Sequence, residues 1–241
     1  MWRSIKQRGY PVASLSLAAL YPSRCPVCNN HSDSLSYAPI CRDCWSGIER
    51  YRGPSCRICA VPLSSECSLV CGDCLSRKPS FSSVLNFGLY SGTLREAIHL
   101  LKFNGVKRLV KPLGGFLHEL TFPALDGIVP VPLSKSALRQ RGFNQTLLLA
   151  RVLARRLEIP LCMNALHKRK DTPAQIGLKA KERLANLKNA FEVVEPVAGK
   201  QLLLLDDVMT TGATVRECSK TLVKAGAKEV VVVTLARSST D

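Results

Sequence analysis

Four Cys-x-x-Cys pairs constrain this chain more than any other feature: Cys25 with Cys28, Cys41 with Cys44, Cys56 with Cys59, and Cys71 with Cys74. Twelve residues separate the first two pairs and eleven the last two, so one four-cysteine unit is used twice. A disulfide scaffold has no need of close pairs, whereas a tetrahedral ion takes two thiolates from each of two tight knuckles. Four thiolates suit Zn²⁺, with iron–sulfur ligation as the competing reading. Both quartets leave no open position for a substrate, which makes two structural zinc sites the expectation. Cys67 falls between knuckles and reads as a free thiol, Cys162 and Cys218 read as small core residues, and His31 needs no ligand role. The segment 21–78 is rich in Pro, Ser and Cys and poor in apolar periodicity, so its stability is expected to come from its ions. Reduced metal-binding thiols point to the cytoplasm.

Residues 1–20 carry Arg3, Lys6 and Arg8 before a mildly apolar run and loosely imitate a secretory signal, but no small-x-small cleavage site follows. A short amphipathic helix is expected there. No stretch approaches the roughly 18 consecutive apolar residues of a membrane span. After residue 79 strands alternate with helices, the signature of an α/β fold with a parallel sheet. Strands are expected at 84–90, 127–131, 191–194, 201–205 and 229–235, and helices at 94–103, 109–120, 144–157 and 214–225. A basic loop at 133–141 and a long polar stretch at 168–189 interrupt the alternation. The chain thus divides into an N-terminal helix (1–20), a double four-cysteine ribbon (21–78) and an α/β domain (79–241), within the 241 residues that one sizeable core and a small module need.

The motif that carries chemistry lies at 202–214. Leu202 to Leu205 form a continuous apolar run, as in a strand buried on both faces, and the carboxyl end of such a strand is where open α/β sheets bind ligands. Asp206 and Asp207 sit at that edge, where they can accept hydrogen bonds from vicinal ribose hydroxyls or reach Mg²⁺ through water. Thr210, Thr211, Gly212, Ala213 and Thr214 follow at a helix N-terminus, where backbone N–H groups and hydroxyls can wrap a phosphate. A ribose diol beside a terminal phosphate is the shape of a ribose 5-phosphate.

This stretch resembles the phosphoribosyl pyrophosphate motif of type I phosphoribosyltransferases. Further residues narrow the resemblance: Leu101-Lys102-Phe103, Val129-Pro130-Val131-Pro132, Arg139-x-Arg141-Gly142-Phe143-Asn144-Gln145, Arg169-x-x-Thr172-x-x-Gln175, then Arg183, Asn186 and Ala190-Phe191. With the double ribbon upstream they resemble the ComF family (ComFC, GntX and relatives), over residues 25–237. The resemblance implies a type I phosphoribosyltransferase-like parallel sheet flanked by helices, a double zinc ribbon, and an association with DNA uptake and natural transformation. It also implies that Asp206 and Asp207 hold the ribose hydroxyls and that 210–214 form the 5-phosphate loop. Lys135, Arg139 and Arg141 would supply cations for the pyrophosphate, and Arg169, Thr172 and Gln175 would belong to a second mobile element that closes the site.

In the implied chemistry a nitrogen nucleophile attacks the anomeric carbon as pyrophosphate departs, with Mg²⁺ and arginines stabilising the leaving group. The acceptor is not legible; the motif argues for ligand binding without proving turnover, and a phosphoribosyltransferase is the expected enzyme class. Glutamine hydrolysis is rejected, because Cys25 is a ribbon ligand and not an N-terminal nucleophile. The alternative is a non-catalytic adaptor for single-stranded DNA that keeps the phosphoribosyl site as an effector or structural site. A helicase-like competence partner rests on the family association. The net charge of +16 fits either polyanion; residues 99–190 concentrate it, with 17 basic and five acidic side chains.

Overall fold

The longest apolar runs, Gln201–Met209 and Glu229–Arg237, lie side by side at the centre of a parallel sheet, where residues on both faces are covered. The computed structural model describes residues 24–65, 67–170 and 187–239; the expected helix at 1–20 lies outside them. In chain order the strands are β1 (Ser83–Leu89), β2 (Gly127–Pro130), β3 (Leu166–Lys168), β4 (Phe191–Val193), β5 (Gln201–Met209) and β6 (Glu229–Arg237). The helices are α1 (Arg42–Ser46), α2 (Gly72–Ser76), α3 (Gly92–Phe103), α4 (Val110–His118), α5 (Lys135–Arg141), α6 (Gln145–Leu157) and α7 (Ala213–Lys224). The sheet runs β1-β6-β5-β2, every neighbour parallel, while β3 and β4 form a separate antiparallel pair.

Alternation along the central strands divides the core in two. Leu203, Leu205, Val231 and Val233 face α3, α4 and α6, through Leu101, Leu113 and Leu149. Leu202, Leu204, Val230 and Val232 face α7 and the β3–β4 pair, through Val215, Leu222, Leu166 and Phe191. Each such side chain is worth about 1.5–3 kcal/mol of burial, so these faces dominate the fold's stability.

The two ribbons are built alike. In each, one cysteine pair turns tightly and the other opens a five-residue helix, with Cys41 as N-cap of α1 and Cys71 as N-cap of α2. They dock on opposite faces of the sheet. The first places Cys25, Ile40 and Cys41 in the α3/α4/α6 core, and its Trp45 stacks on Phe116, which stacks in turn on Phe87. The second places Cys56, Cys59, Val61 and Cys74 in the α7 core. Beside the ions from which the stability of 21–78 is expected to come, both ribbons share apolar cores with the domain behind them.

Other differences from the expected elements are local. The basic loop at 133–141 is helix α5: Ser134 Oγ accepts from the Ala137 N–H at 3.3 Å, and Gly142 ends the helix at φ 75°. Strand β5 runs four residues past the expected end, because Asp206, Val208 and Met209 stay in register with Thr234, Ala236 and Arg237. Among the described residues no helix is long and apolar enough to cross a membrane.

Candidate functional site

Extension of β5 through the acidic pair decides how the pair is used, because successive strand residues point to opposite faces. Asp207 turns toward the α3/α6 side. Lys102 Nζ, from the last turn of α3, lies 3.1 Å from Asp207 Oδ2, and Gln145 Nε2, at the start of α6, donates to the same oxygen at 3.1 Å. Arg141 Nη1 donates to Gln145 Oε1 at 2.5 Å, so α3, α5 and α6 meet at one carboxylate. Asp206 instead lines a small cup with Val208 to Val215. Its Oδ1 accepts from the Asp207 N–H at 2.9 Å.

The two carboxyls are held in different protonation states. Burial pushes the Asp206 carboxyl up, the neighbouring Asp207 charge adds to it, and its pKa reaches about 8 although Lys102 opposes the rise. Burial acts on Asp207 too, but the Lys102 ammonium and its hydrogen bond outweigh it and hold this carboxyl below the usual range. Lys102 is correspondingly raised: burial disfavours its charge, and Asp207 followed by Asp206 more than restores it. At neutral pH the site therefore holds a neutral acid beside a compensated ion pair, with the Arg141 charge in surplus.

A stability profile follows. The folded protein keeps the Asp206 proton up to about pH 8, whereas an unfolded chain loses it near the ordinary 3.8, so folding binds a proton across that interval and stability falls as pH rises through it. Asp206→Asn is expected to flatten this fall, standing more stable relative to wild type at pH 9 than at pH 5. A difference in melting temperature that is constant over that range would refute the assignment.

Beyond Met209 the chain turns into α7. Gly212 is its N-cap, at φ 76°, and has no side chain to cap the first turn. The amides of Ala213, Thr214 and Val215 precede the first intrahelical bond, from Arg216 N–H to Gly212 O at 2.9 Å, and such amides with the helix dipole suit a phosphate. A Cβ at Gly212 would approach Met209 Cε to 2.5 Å as well as strain the backbone. Gly212→Ala is thus expected to cost about 1–2 kcal/mol in urea unfolding, the price of a left-handed non-glycine residue; an unchanged midpoint would show that the turn relaxes freely.

In each quartet, Cys25, Cys28, Cys41, Cys44 and Cys56, Cys59, Cys71, Cys74, the four sulfurs lie within 4.8 Å of one another. Sulfurs about 2.3 Å from one tetrahedral ion would be that close, so both quartets fit zinc. Burial pushes the Cys25 and Cys56 thiols up, but backbone amides around each sulfur outweigh it and bring both to about 7. Cys44 and Cys74 are pushed up, by burial first and then by neighbouring thiols, so a cation is what would hold all four deprotonated. Cys67 is exposed and outside both quartets, and Cys218 is a core residue, as expected; Cys162 is half-buried.

Of the cations expected at the pyrophosphate, the structure brings Arg141 to the aspartates. Lys135 and Arg139 lie exposed on α5, and Arg169 pairs with Glu192 at 3.2 Å. Thr172, Gln175, Arg183 and Asn186 lie outside the described residues. Sequence reasoning assigned no role to Lys102 or Gln145, although both stand in quoted motifs, nor to Arg216 and Arg237. The signal for Arg237 was an arginine closing a strand whose interior is apolar but for Thr234.

Comparisons with known proteins agree with this layout. Residues 16–75 match the double zinc ribbon domain and residues 144–241 the phosphoribosyl transferase domain. The chain is 35% identical over 212 residues to competence protein F of Haemophilus influenzae, covering 83% of this chain and 90% of that protein. It is 34% identical over 225 residues to DNA utilization protein YhgH of Escherichia coli K12, covering 90% and 98%. It is 31% identical over 212 residues to competence protein ComFC of Bacillus subtilis, covering 83% and 84%. Among solved structures, glutamine phosphoribosylpyrophosphate amidotransferase from B. subtilis aligns at 24% identity and a TM-score of 0.38 over 52% of this chain, which spans 25% of that enzyme.

Proposed function

The chain belongs to the ComF family, whose members join a double zinc ribbon to a phosphoribosyltransferase-like fold, and from that premise we propose that it binds phosphoribosyl pyrophosphate, or a related phosphorylated ribose, with Mg²⁺ and acts in DNA uptake. The carrying observation is the cup at the end of β5, which Asp206 and the N-terminus of α7 line together, with the Ala213 N–H donating to Thr211 Oγ1 at 3.4 Å. Asp206 and Asp207 would meet the ribose hydroxyls or, through water, Mg²⁺, and 210–214 would take the 5-phosphate. Mg²⁺ would offset charge on the pyrophosphate. Lys102 at Asp207, and Arg141 through Gln145, would supply the cations that a leaving diphosphate needs. As an enzyme the protein would be a phosphoribosyltransferase, forming a bond from an acceptor nitrogen to the anomeric carbon as pyrophosphate leaves.

Calorimetric titration with phosphoribosyl pyrophosphate and Mg²⁺ tests the binding, and pyrophosphate release over a panel of nucleobases and amines tests the turnover. Binding with release establishes the enzyme. Binding without release across the panel leaves the effector site of the second reading, and no binding sinks the enzyme and the effector site alike, leaving the adaptor with a structural site.

That second reading, a single-stranded-DNA adaptor, draws on one surface. Lys111 on α4 and Arg151, Arg155 and Arg156 on α6 are exposed and have no ion pair among the described residues. The two helices pack so closely that a Cβ at Gly114 would meet Val152 at 2.6 Å. Binding through this face would weaken steeply with salt; no binding at low salt would remove the reading. A helicase-like partner and a cytoplasmic location complete the proposal and rest on the family relation and the reduced thiols.

A further inference from the structure

We propose that Arg237 is a positioning residue that makes the second zinc ribbon, and not the first, part of the phosphate-binding loop. Arg237 ends β6 and is buried. Its Nε donates to the carbonyl of the ribbon cysteine Cys59 at 3.1 Å. Its Nη1 donates to Met209 O at 3.0 Å, to Thr210 O, and to Ser238 O at 3.0 Å. One rigid guanidinium therefore spans a zinc knuckle and the two carbonyls at which β5 turns into the loop. These four carbonyls account for its hydrogen bonds and no carboxylate pairs with it among the described residues, so its charge stands behind the loop uncancelled.

A second tie runs parallel to the first. Arg216, in the first turn of α7, donates to Asp73 Oδ2 at 2.5 Å and to Arg77 O at 2.7 Å, and its Nη2 lies 3.7 Å from Cys74 Sγ. Asp73 and Cys74 belong to the helix that the second quartet opens. Four thiolates around one Zn²⁺ would carry two formal negative charges, and Arg216 is a cation that lies against one of those sulfurs, while Arg237 reaches the quartet through the Cys59 carbonyl. Packing agrees: Cys56, Cys59 and Cys74 share a core with Met209, Ala213 and Val215, whereas the first ribbon sits on the opposite face. Without its ion the second ribbon would release the Cys59 carbonyl and the Cys74 sulfur, and the loop would lose the anchors on one of its sides.

This inference rests on the reading of 210–214 as a phosphate site, yet the coupling itself can be measured without ligand. Hydrogen exchange of the full zinc-loaded chain compares Cys71→Ser with Cys41→Ser, the N-caps of the two ribbon helices. Amides of 209–214 are expected to exchange about tenfold faster in Cys71→Ser, within the usual range of site-to-site coupling, and at the wild-type rate in Cys41→Ser. Equal acceleration in both variants, or none in either, overturns the proposal. Should Cys71→Ser not fold, Arg237→Lys keeps the charge and removes the fork. It is expected to retain both zinc ions but to lose one of them to a chromophoric chelator about tenfold faster, with the other unaffected. Unchanged release of both ions overturns the proposal. Ribose 5-phosphate, by reciprocity, should slow release of that same ion in wild type. If calorimetry shows that wild type does not bind ribose 5-phosphate or phosphoribosyl pyrophosphate, the functional reading fails while the exchange result still decides the coupling.

Discussion

Alanine at both Asp206 and Asp207 is expected to abolish the thermal stabilisation that phosphoribosyl pyrophosphate and Mg²⁺ give the wild-type protein. A ligand present at a hundred times its dissociation constant contributes about 2.7 kcal/mol, which for a chain of this size corresponds to roughly 5–10 °C. The double variant should lose all of it. Its zinc content should stay at two ions per chain, because the quartets draw no ligand from β5. The unliganded melting temperature can move as well, since the substitution leaves Lys102 without its partner, so the shift on adding ligand is what decides. A full shift in the double variant would mean that the ligand sits elsewhere.

Lys102→Met has the largest expected effect on the fold itself. Asp207 keeps 3% of its side-chain surface and Lys102 26%, so the pair is largely withdrawn from water. Removing one partner of a buried pair leaves an uncompensated charge, at a cost of about 3–5 kcal/mol. Gln145 would remain as a neutral donor to Asp207, which sets the expectation at the lower end, about 3 kcal/mol in urea unfolding. Asp207→Asn added to Lys102→Met should recover part of the loss, because no charge then remains to be paired. The pH dependence has a definite sign. The Asp207 carboxyl lies below its ordinary value in the fold, so its contribution is present above that value and disappears as pH falls through the lowered one. The gap between Lys102→Met and wild type should therefore narrow in acid. A loss under about 1 kcal/mol, typical of an exposed pair, would place Lys102 in solvent.

Much of this arrangement was legible because it is local. The spacing of the eight cysteines, the apolar run ahead of Asp206 and the Thr-Thr-Gly-Ala-Thr segment each describe one short stretch, and the structure holds each as such a stretch. Helix α5 was missed because its basic residues read as a loop, although Ser134 and Gly142 are a cap and a stop that mark a helix seven residues long. Lys102, Gln145 and Arg141 were not recognisable as one unit, because they come from three helices and meet only where the sheet brings its carboxyl edge against them.

What the sequence by itself determined is the chemistry on offer: two thiolate quartets, an acidic pair at a strand end, and a phosphate-sized turn. Tertiary structure alone decided how these are divided. Because side chains alternate along a strand, Asp206 lines the cup before α7 while Asp207 reaches Lys102 and Gln145, and burial with the neighbouring Asp207 charge keeps one carboxyl neutral while Lys102 holds the other charged. The same two faces receive one ribbon each, so two nearly identical cysteine units take different places, the second bonded to the turn between β5 and α7 through Arg216 and Arg237. Spacing along a chain specifies what a segment can bind. Which segment it lies against depends on long-range burial, and that is settled only when the sheet closes its two cores.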